Sequence, residues 1–281
     1  MSEVATRLRL LQAQSGRAGA ASHPATLDIR AQVRRLLGRR ERSASCPPLR
    51  PPGGEEIADG LLLVEETIPS TKRLPLHLPT IGEDPIARER LICFDTETTG
   101  LAGGVGTKAF MIGCTQWTSA GLCVRQLYLT ALAGEEAMLT TFASWLPEDA
   151  VFVSYNGRSY DAPLLKGRYR MHRQAHPFEE RGHLDLLHPM RRAYRGVWEN
   201  CRLKTIEREV LGIYRVDDLP GSEAPAAWLA YLRRQTSEPL GRVLAHNRQD
   251  VLTLVDLMEH YATHLAAGGL GDQASRREGF R

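Results

Sequence analysis

Residues 91–100 read Leu-Ile-Cys-Phe-Asp-Thr-Glu-Thr-Thr-Gly. An unbroken apolar run at 91–94 is the mark of a strand covered on both faces. Side chains alternate along such a strand, so Asp95 and Glu97 emerge on one face at its end. Two positions apart, the carboxylates stand roughly 6–7 Å from one another. At an effective dielectric of about 20 their repulsion is on the order of 2.5 kcal/mol, before any desolvation cost. A divalent cation reverses the sign of that term. Taken alone, the same residues also fit an exposed strand end, with solvated acids and a Thr-Thr-Gly turn.

Downstream, residues 110–117 and 122–129 read as two further strands joined by a turn at Ser119, Ala120 and Gly121. Apolar spacing predicts a helix over 134–146, a strand at 151–155, a helix at 162–172 and a short strand or helix start at 183–187. Helices follow at 203–211, stopped by Gly212, at 224–234 and at about 240–265. Three leading strands, then strands alternating with helices, predict an α/β domain with a mixed sheet flanked by helices. That main domain is expected over 88–266. Upstream, 60–66 reads as a strand, followed by prolines at 69, 75, 79 and 85, so 59–87 is expected to form a leader packing on the main domain. Residues 1–58 read as an arginine-rich, poorly ordered arm, with a short helix at about 27–40 and a Pro/Gly-rich close. Residues 267–281 read as a flexible tail.

The bulk composition is that of a globular protein: 42% hydrophobic and 25% charged over 281 residues. No apolar run approaches the roughly 18 residues of a membrane span, and the N-terminus carries no signal core. A cytoplasmic location away from membranes is expected. The five cysteines are odd in number, with no Cys-x-x-Cys pair, which predicts buried, reduced thiols rather than disulfides or a zinc site. The net charge of +3 is uneven, since residues 1–50 carry +7 and the remainder −4. A basic arm on a mildly acidic body suits a polyanionic partner, and equally a solvated tail.

Two more segments carry acids in telling places. Residues 155–165 read Tyr-Asn-Gly-Arg-Ser-Tyr-Asp-Ala-Pro-Leu-Leu. Asp161 fits a helix N-cap, with Pro163 in the first turn, but a cap leaves Asn156-Gly157 directly after a strand unexplained. Residues 244–254 read Leu-Ala-His-Asn-Arg-Gln-Asp-Val-Leu-Thr-Leu. On a helix, Asp250 shares a side with Val243, Leu254 and Leu257. An unpaired carboxylate in an apolar stripe costs several kcal/mol, so a cation or strong donors should attend it. A buried Asp–Arg pair is the alternative to a metal. His246 lies one turn earlier, on nearly the same face.

The strings DTETTG, YNGRSYDAPLL and HNRQD resemble, in order and spacing, the three exonuclease motifs of the DEDD superfamily with the ribonuclease H-like fold. More closely, the chain resembles the bacterial YprB-type ribonuclease H-like domain. The stretch 201–225, CRLKTIEREVLGI followed by DDLPGSEAP, adds to the likeness, which covers about residues 60–265. The resemblance implies a ribonuclease H-like domain acting as a 3′-5′ exonuclease on single-stranded nucleic acid, DNA or RNA. It implies two Mg²⁺ or Mn²⁺ ions held by Asp95, Glu97, Asp161 and Asp250. The chain departs from the pattern at the general base. Position 245, where one subclass has histidine, is Ala; position 246, where the other has tyrosine, is His. His246 is thus the candidate to orient or deprotonate the attacking water. Thr98, Gly100 and Leu101 are expected to bracket the terminal nucleotide, and Asn156 to contact sugar or phosphate. Lys204, with Arg202 and Arg158, is expected at phosphates, against the alternative of solvated surface charge. His183, Asp185 and His188 read as a hydrogen-bonded helix entrance rather than a metal site. Tyr155, Tyr160, Trp198 and Trp228 are open to base stacking or to core packing. The rival function on this fold is nucleic-acid binding without hydrolysis.

Overall fold

A computed structural model describes residues 49–72, 74–100 and 106–265. The expected arm helix, Leu101 and the tail lie outside the described residues. The strands are β1 (Glu55–Ala58), β2 (Leu61–Ile68), β3 (Leu91–Thr98), β4 (Ala109–Thr118), β5 (Gly121–Leu129), β6 (Val151–Ser154) and β7 (His183–Asp185). They form one mixed sheet in the order β1-β2-β5-β4-β3-β6-β7. The pairs from β1 through β3 are antiparallel, whereas β3–β6 and β6–β7 are parallel. The expected α/β architecture with a mixed sheet is what the chain adopts.

The helices are α1 (Glu135–Ser144), α2 (Asp161–Met171), α3 (Leu187–Tyr194), α4 (Leu203–Ile206), α5 (Ala224–Leu232) and α6 (Glu238–His260). Three expectations are adjusted. Residues 55–58, read as the end of the arm, form an edge strand, because the turn at Gly60 returns them against β2. The first part of the leader joins the sheet, where β2 pairs along its whole length with β5, from Leu61 opposite Leu129 to Ile68 opposite Leu122, while Leu76, Leu78 and Ile86 from its later part pack against Leu91, Val151 and Met258. The helix expected over 203–211 is one turn of α-helix continuing into a wider π-type turn, Glu207–Leu211, that ends at Gly212.

Strand alternation assigns the two faces of the sheet. Even-numbered Phe94 and Phe152 pack beneath α1 and α2 with Met138, Leu139, Phe142, Leu165 and Tyr169, and their rings meet edge-on at 5.4 Å. Odd-numbered Leu91, Cys93, Val151 and Val153 pack against α6 and α3 through Leu254, Leu257, Met258 and Met190. Cys93 and Cys114 are buried free thiols, and burial pushes both up to about 12. Among the described residues no helix is long and apolar enough to cross a membrane. Because β3 and β6 run parallel, the loop after β6 leaves the sheet at the same end as Asp95 and Glu97. Open α/β sheets commonly place their ligands at that end.

Candidate active site

Asp95 and Glu97 lie on the sheet face that α6 crosses. The helix comes close because Gly113 stands opposite Asp95 in the neighbouring strand. A Cβ on Gly113 would fall 2.0 Å from Asn247 Oδ1. Asn247 uses that proximity: its Nδ2 donates to Asp95 Oδ2 at 3.1 Å. Its Oδ1 accepts from Gln126 at 3.0 Å, and Gln126 also donates to the Leu244 carbonyl at 2.8 Å. A buried amide pair from α6 and β5 thus aims the first carboxylate.

Asp161 arrives from the other side. The loop after β6 turns at Asn156, whose φ is +68°, and Gly157, where a Cβ would meet Ser154 Oγ at 2.5 Å. Buried Asp185 ties the loop down, accepting from the backbone N–H of Asn156 at 2.7 Å, Arg158 at 3.2 Å and Leu187 at 3.1 Å. His183 bonds Ser154 at 2.8 Å, and burial lowers it to about 4. These two residues form the hydrogen-bonded entrance read from the sequence. Asp161 itself is the first helical residue and not a cap. Its Oδ1 accepts from the Thr96 hydroxyl, across the sheet end.

Asp250 is delivered by α6 and is met by a cation. Arg215 Nη2 donates to Asp250 Oδ1, while Arg215 Nε donates to buried Glu207 at 2.6 Å. Asp250 thus has an arginine partner in the fold. His246 Nε2 lies 3.4 Å from Asp250 Oδ2, and its Nδ1 lies 2.6 Å from Asp218 Oδ1. Arg215 Nη1 also lies 3.3 Å from that Nδ1. The shorter contact to a carboxylate has the stronger claim, and it puts the proton on Nδ1.

The four acids crowd one another. Burial raises Asp95 well above the usual carboxylate range, and the charges of Asp250, Asp161 and Glu97 raise it further. Glu97 is raised the same way, by burial and then by Asp250, Asp161 and Asp218. Burial takes Asp161 up to about 6 against the hydrogen bond from Thr96. Asp250 is raised by burial, with His246 and Arg215 pulling it back. At Asp218 burial also acts upward, but the His246 bond and the charges of His246 and Arg215 outweigh it and leave this carboxyl low.

Two hollows open beside the cluster and share Asp95, Thr96, Thr98 and Gly100 in their walls. One, of about 730 Å³, is lined further by Asn156, Tyr160, Asp161, Leu164 and Met171. The other, of about 400 Å³, is lined by Glu97, Ser222, Pro225, His246 and Asp250. Thr98 and Gly100 thus line both hollows, and Asn156 lines the first. Lys204 does not line either hollow; it is exposed and reaches Asp218 at 3.3 Å. Tyr160 sits exposed on the rim. Trp228 is buried, stacked on Phe110, and Trp198 stacks on Tyr194. Sequence reasoning missed Arg215, Glu207, Asp218, Gln126 and Gly113. The DDLP string hinted at Asp218, but nothing local marks the others, since their partners are remote.

The set of hard oxygen donors, with no thiol, suits Mg²⁺ or Mn²⁺. Mutual repulsion among buried carboxylates is the electrostatic state that a divalent ion relieves. Among the described residues, no three of these side chains are already drawn to the distances of a coordinated ion. Holding an ion there would require side-chain adjustment around Asp95, Glu97 and Asp161.

The family model of the RNase_H superfamily matches residues 92–262. The uncharacterized protein YprB of Bacillus subtilis (strain 168) is 37% identical over 182 residues, covering 64% of this chain and 44% of that protein. The chain thus spans less than half the length of that relative. The family B DNA polymerase from the hyperthermophilic archaeon Pyrobaculum calidifontis superposes with a TM-score of 0.48 at 14% identity, over 69% of this chain and 28% of the polymerase. With the matched stretch running from β3 through α6, the chain belongs to the RNase H superfamily, as a YprB-type ribonuclease H-like domain protein.

Proposed function

We propose that this chain is a divalent-metal-dependent nuclease that hydrolyses phosphodiester bonds from the 3′ end of single-stranded nucleic acid. The observation that carries the reading is the meeting of Asp95, Glu97, Asp161 and Asp250, drawn from three remote stretches: burial raises all four, and the charges of Asp250 and Asp161 raise Asp95 and Glu97 further. Binding nucleic acid requires no such crowding of anions, which would repel phosphates; hydrolysis with a bound cation does. The polarity and the single-stranded substrate rest on the resemblance to the DEDD exonucleases.

When bound, a divalent ion supplies a Lewis acid that makes water a better nucleophile and screens the charge of the phosphate. Asp95, Glu97 and Asp161 would hold it, with Asn247 and Thr96 fixing two of those carboxylates. His246 presents Nε2 toward the site because Asp218 occupies its Nδ1, so Nε2 accepts the proton of the attacking water. The water oxygen bonds to phosphorus and the bond to the departing 3′-oxygen breaks. Thr98, Gly100 and Asn156 form the walls against which the terminal nucleotide rests, and Tyr160 offers it a ring at the rim. Leu101 and Lys204 are assigned to the strand from the sequence alone, Lys204 by its charge.

The test is degradation of end-labelled single-stranded DNA and RNA in Mg²⁺ or Mn²⁺. Asp95→Ala and Asp250→Ala should each lose roughly a hundredfold or more in rate, a typical toll for removing a catalytic group. Variants as active as the parent would refute the reading. The pairing of Arg215 with Asp250 favours one second reading, a nucleic-acid-binding domain without hydrolysis. Tight strand binding with no cleavage in either metal would select it.

A further inference from the structure

Resting on the metal-dependent reading, we propose that Arg215 is a built-in cation standing in for one of two divalent ions, so that this chain binds a single ion, at Asp95, Glu97 and Asp161. The carboxylates fall into two groups by what they touch. Asp95 and Asp161 accept from neutral donors, Asn247 and Thr96. Among the described residues no cationic side chain lies within ion-pair distance of Asp95, Glu97 or Asp161. Asp250 differs on both oxygens: Oδ1 accepts from Arg215, and Oδ2 faces His246.

Arg215 is fixed rather than passing through. Its side chain is 6% exposed and is gripped from behind by Glu207, which is fully buried. Glu207 is itself held by the hydroxyl of Thr253 at 2.6 Å and by Gln249 at 3.1 Å, both from α6. Asp218 closes the third side at 3.8 Å. The chain reverses at Gly212, and Ile213 bonds back to the Glu207 carbonyl at 3.3 Å. Along 214–216 the usual preference is inverted. Tyr214 is 73% and Val216 84% exposed, while the guanidinium between them is directed into the cluster. A segment that exposes two apolar side chains to bury an arginine is built to deliver that charge. Arginine keeps its charge at every working pH, and a guanidinium against Oδ1 repels a divalent ion approaching the same oxygen.

The test counts ions. Metal-free full-length protein is titrated with Mn²⁺, following free ion by electron paramagnetic resonance and heat by calorimetry. One Mn²⁺ per chain is expected for the parent and for Arg215→Lys. Two are expected for the double variant Arg215→Gln/Glu207→Gln, which removes both charges of the pair and leaves no orphan in the core; circular dichroism verifies its fold. Two ions in the parent overturn the inference and leave the metal-dependent reading standing. So does a single ion in the folded double variant. Should the double variant not fold, the parent count alone decides. No Mn²⁺ bound by the parent, or binding unaffected by Asp95→Asn, overturns that reading and this inference with it.

Discussion

Burial sets the Asp161 carboxyl at about 6, against the hydrogen bond that Thr96 donates to it. A carboxyl raised in the folded state binds its proton more tightly there than in the unfolded chain. Its contribution to stability is complete below the ordinary value of 3.8 and is lost as pH climbs through about 6. Asp95, Glu97 and Asp250 are raised as well, so they act with the same sign. These carboxyls should therefore lower the melting temperature of metal-free protein between pH 4–5 and pH 7, against buried His183, which is lowered to about 4 and acts with the opposite sign over the same window. Asp161→Asn should flatten that slope and stabilise the metal-free protein at pH 7 by up to about 3 kcal/mol. Thermal melts in a chelator across this window check both. The same slope in Asp161→Asn as in the parent would contradict the raised Asp161 carboxyl.

One helix organises the site. α6 carries His246, Asn247 and Asp250, and supplies Gln249 and Thr253 to Glu207. Its approach to β4 depends on Gly113, over which Asn247 lies. Gly113→Ala should push α6 off the sheet, costing roughly 1–3 kcal/mol as an overpacked core does. It should also weaken Mn²⁺ binding, since Asp95 would lose the amide that aims it. Urea unfolding and metal titration on the same variant read the two effects. Unaltered stability and affinity would mean that the helix seats itself by other contacts. The parallel pairing of β3 with β6 does the matching work on the opposite side, bringing Asp161 to the end of β3.

Across the whole molecule, the site is a store of unfavourable charge that a ligand can discharge. An ion that binds only the folded chain stabilises it by mass action, about 2.7 kcal/mol at a hundredfold excess over its dissociation constant. Adding Mg²⁺ to chelator-treated protein at neutral pH should raise the melting temperature, and Asp95→Asn should remove most of the gain. A parent protein indifferent to Mg²⁺ would show that the cluster does not take the ion. The stabilisation spreads because both core clusters meet at β3, through Ile92 and Phe94 on one face and Leu91 and Cys93 on the other.

The sequence by itself determined what local periods encode. The apolar run ending in Asp95 and Glu97 reads as a two-faced strand with both acids on one side. The spacing around Asp250 reads as a helix with an acid in its apolar stripe. From the alternation of elements alone the α/β class follows. Only the tertiary structure decided what those acids touch. Asp161 looks like a cap in sequence, yet it answers to Thr96, 65 residues away. Arg215 reaches Asp250 across 35 residues, and Asn247 reaches Asp95 across 152. Such partners share no period with the residues they meet. They are chosen by strand order and by how closely a helix can approach a glycine, and both come into being only when the chain has closed on itself.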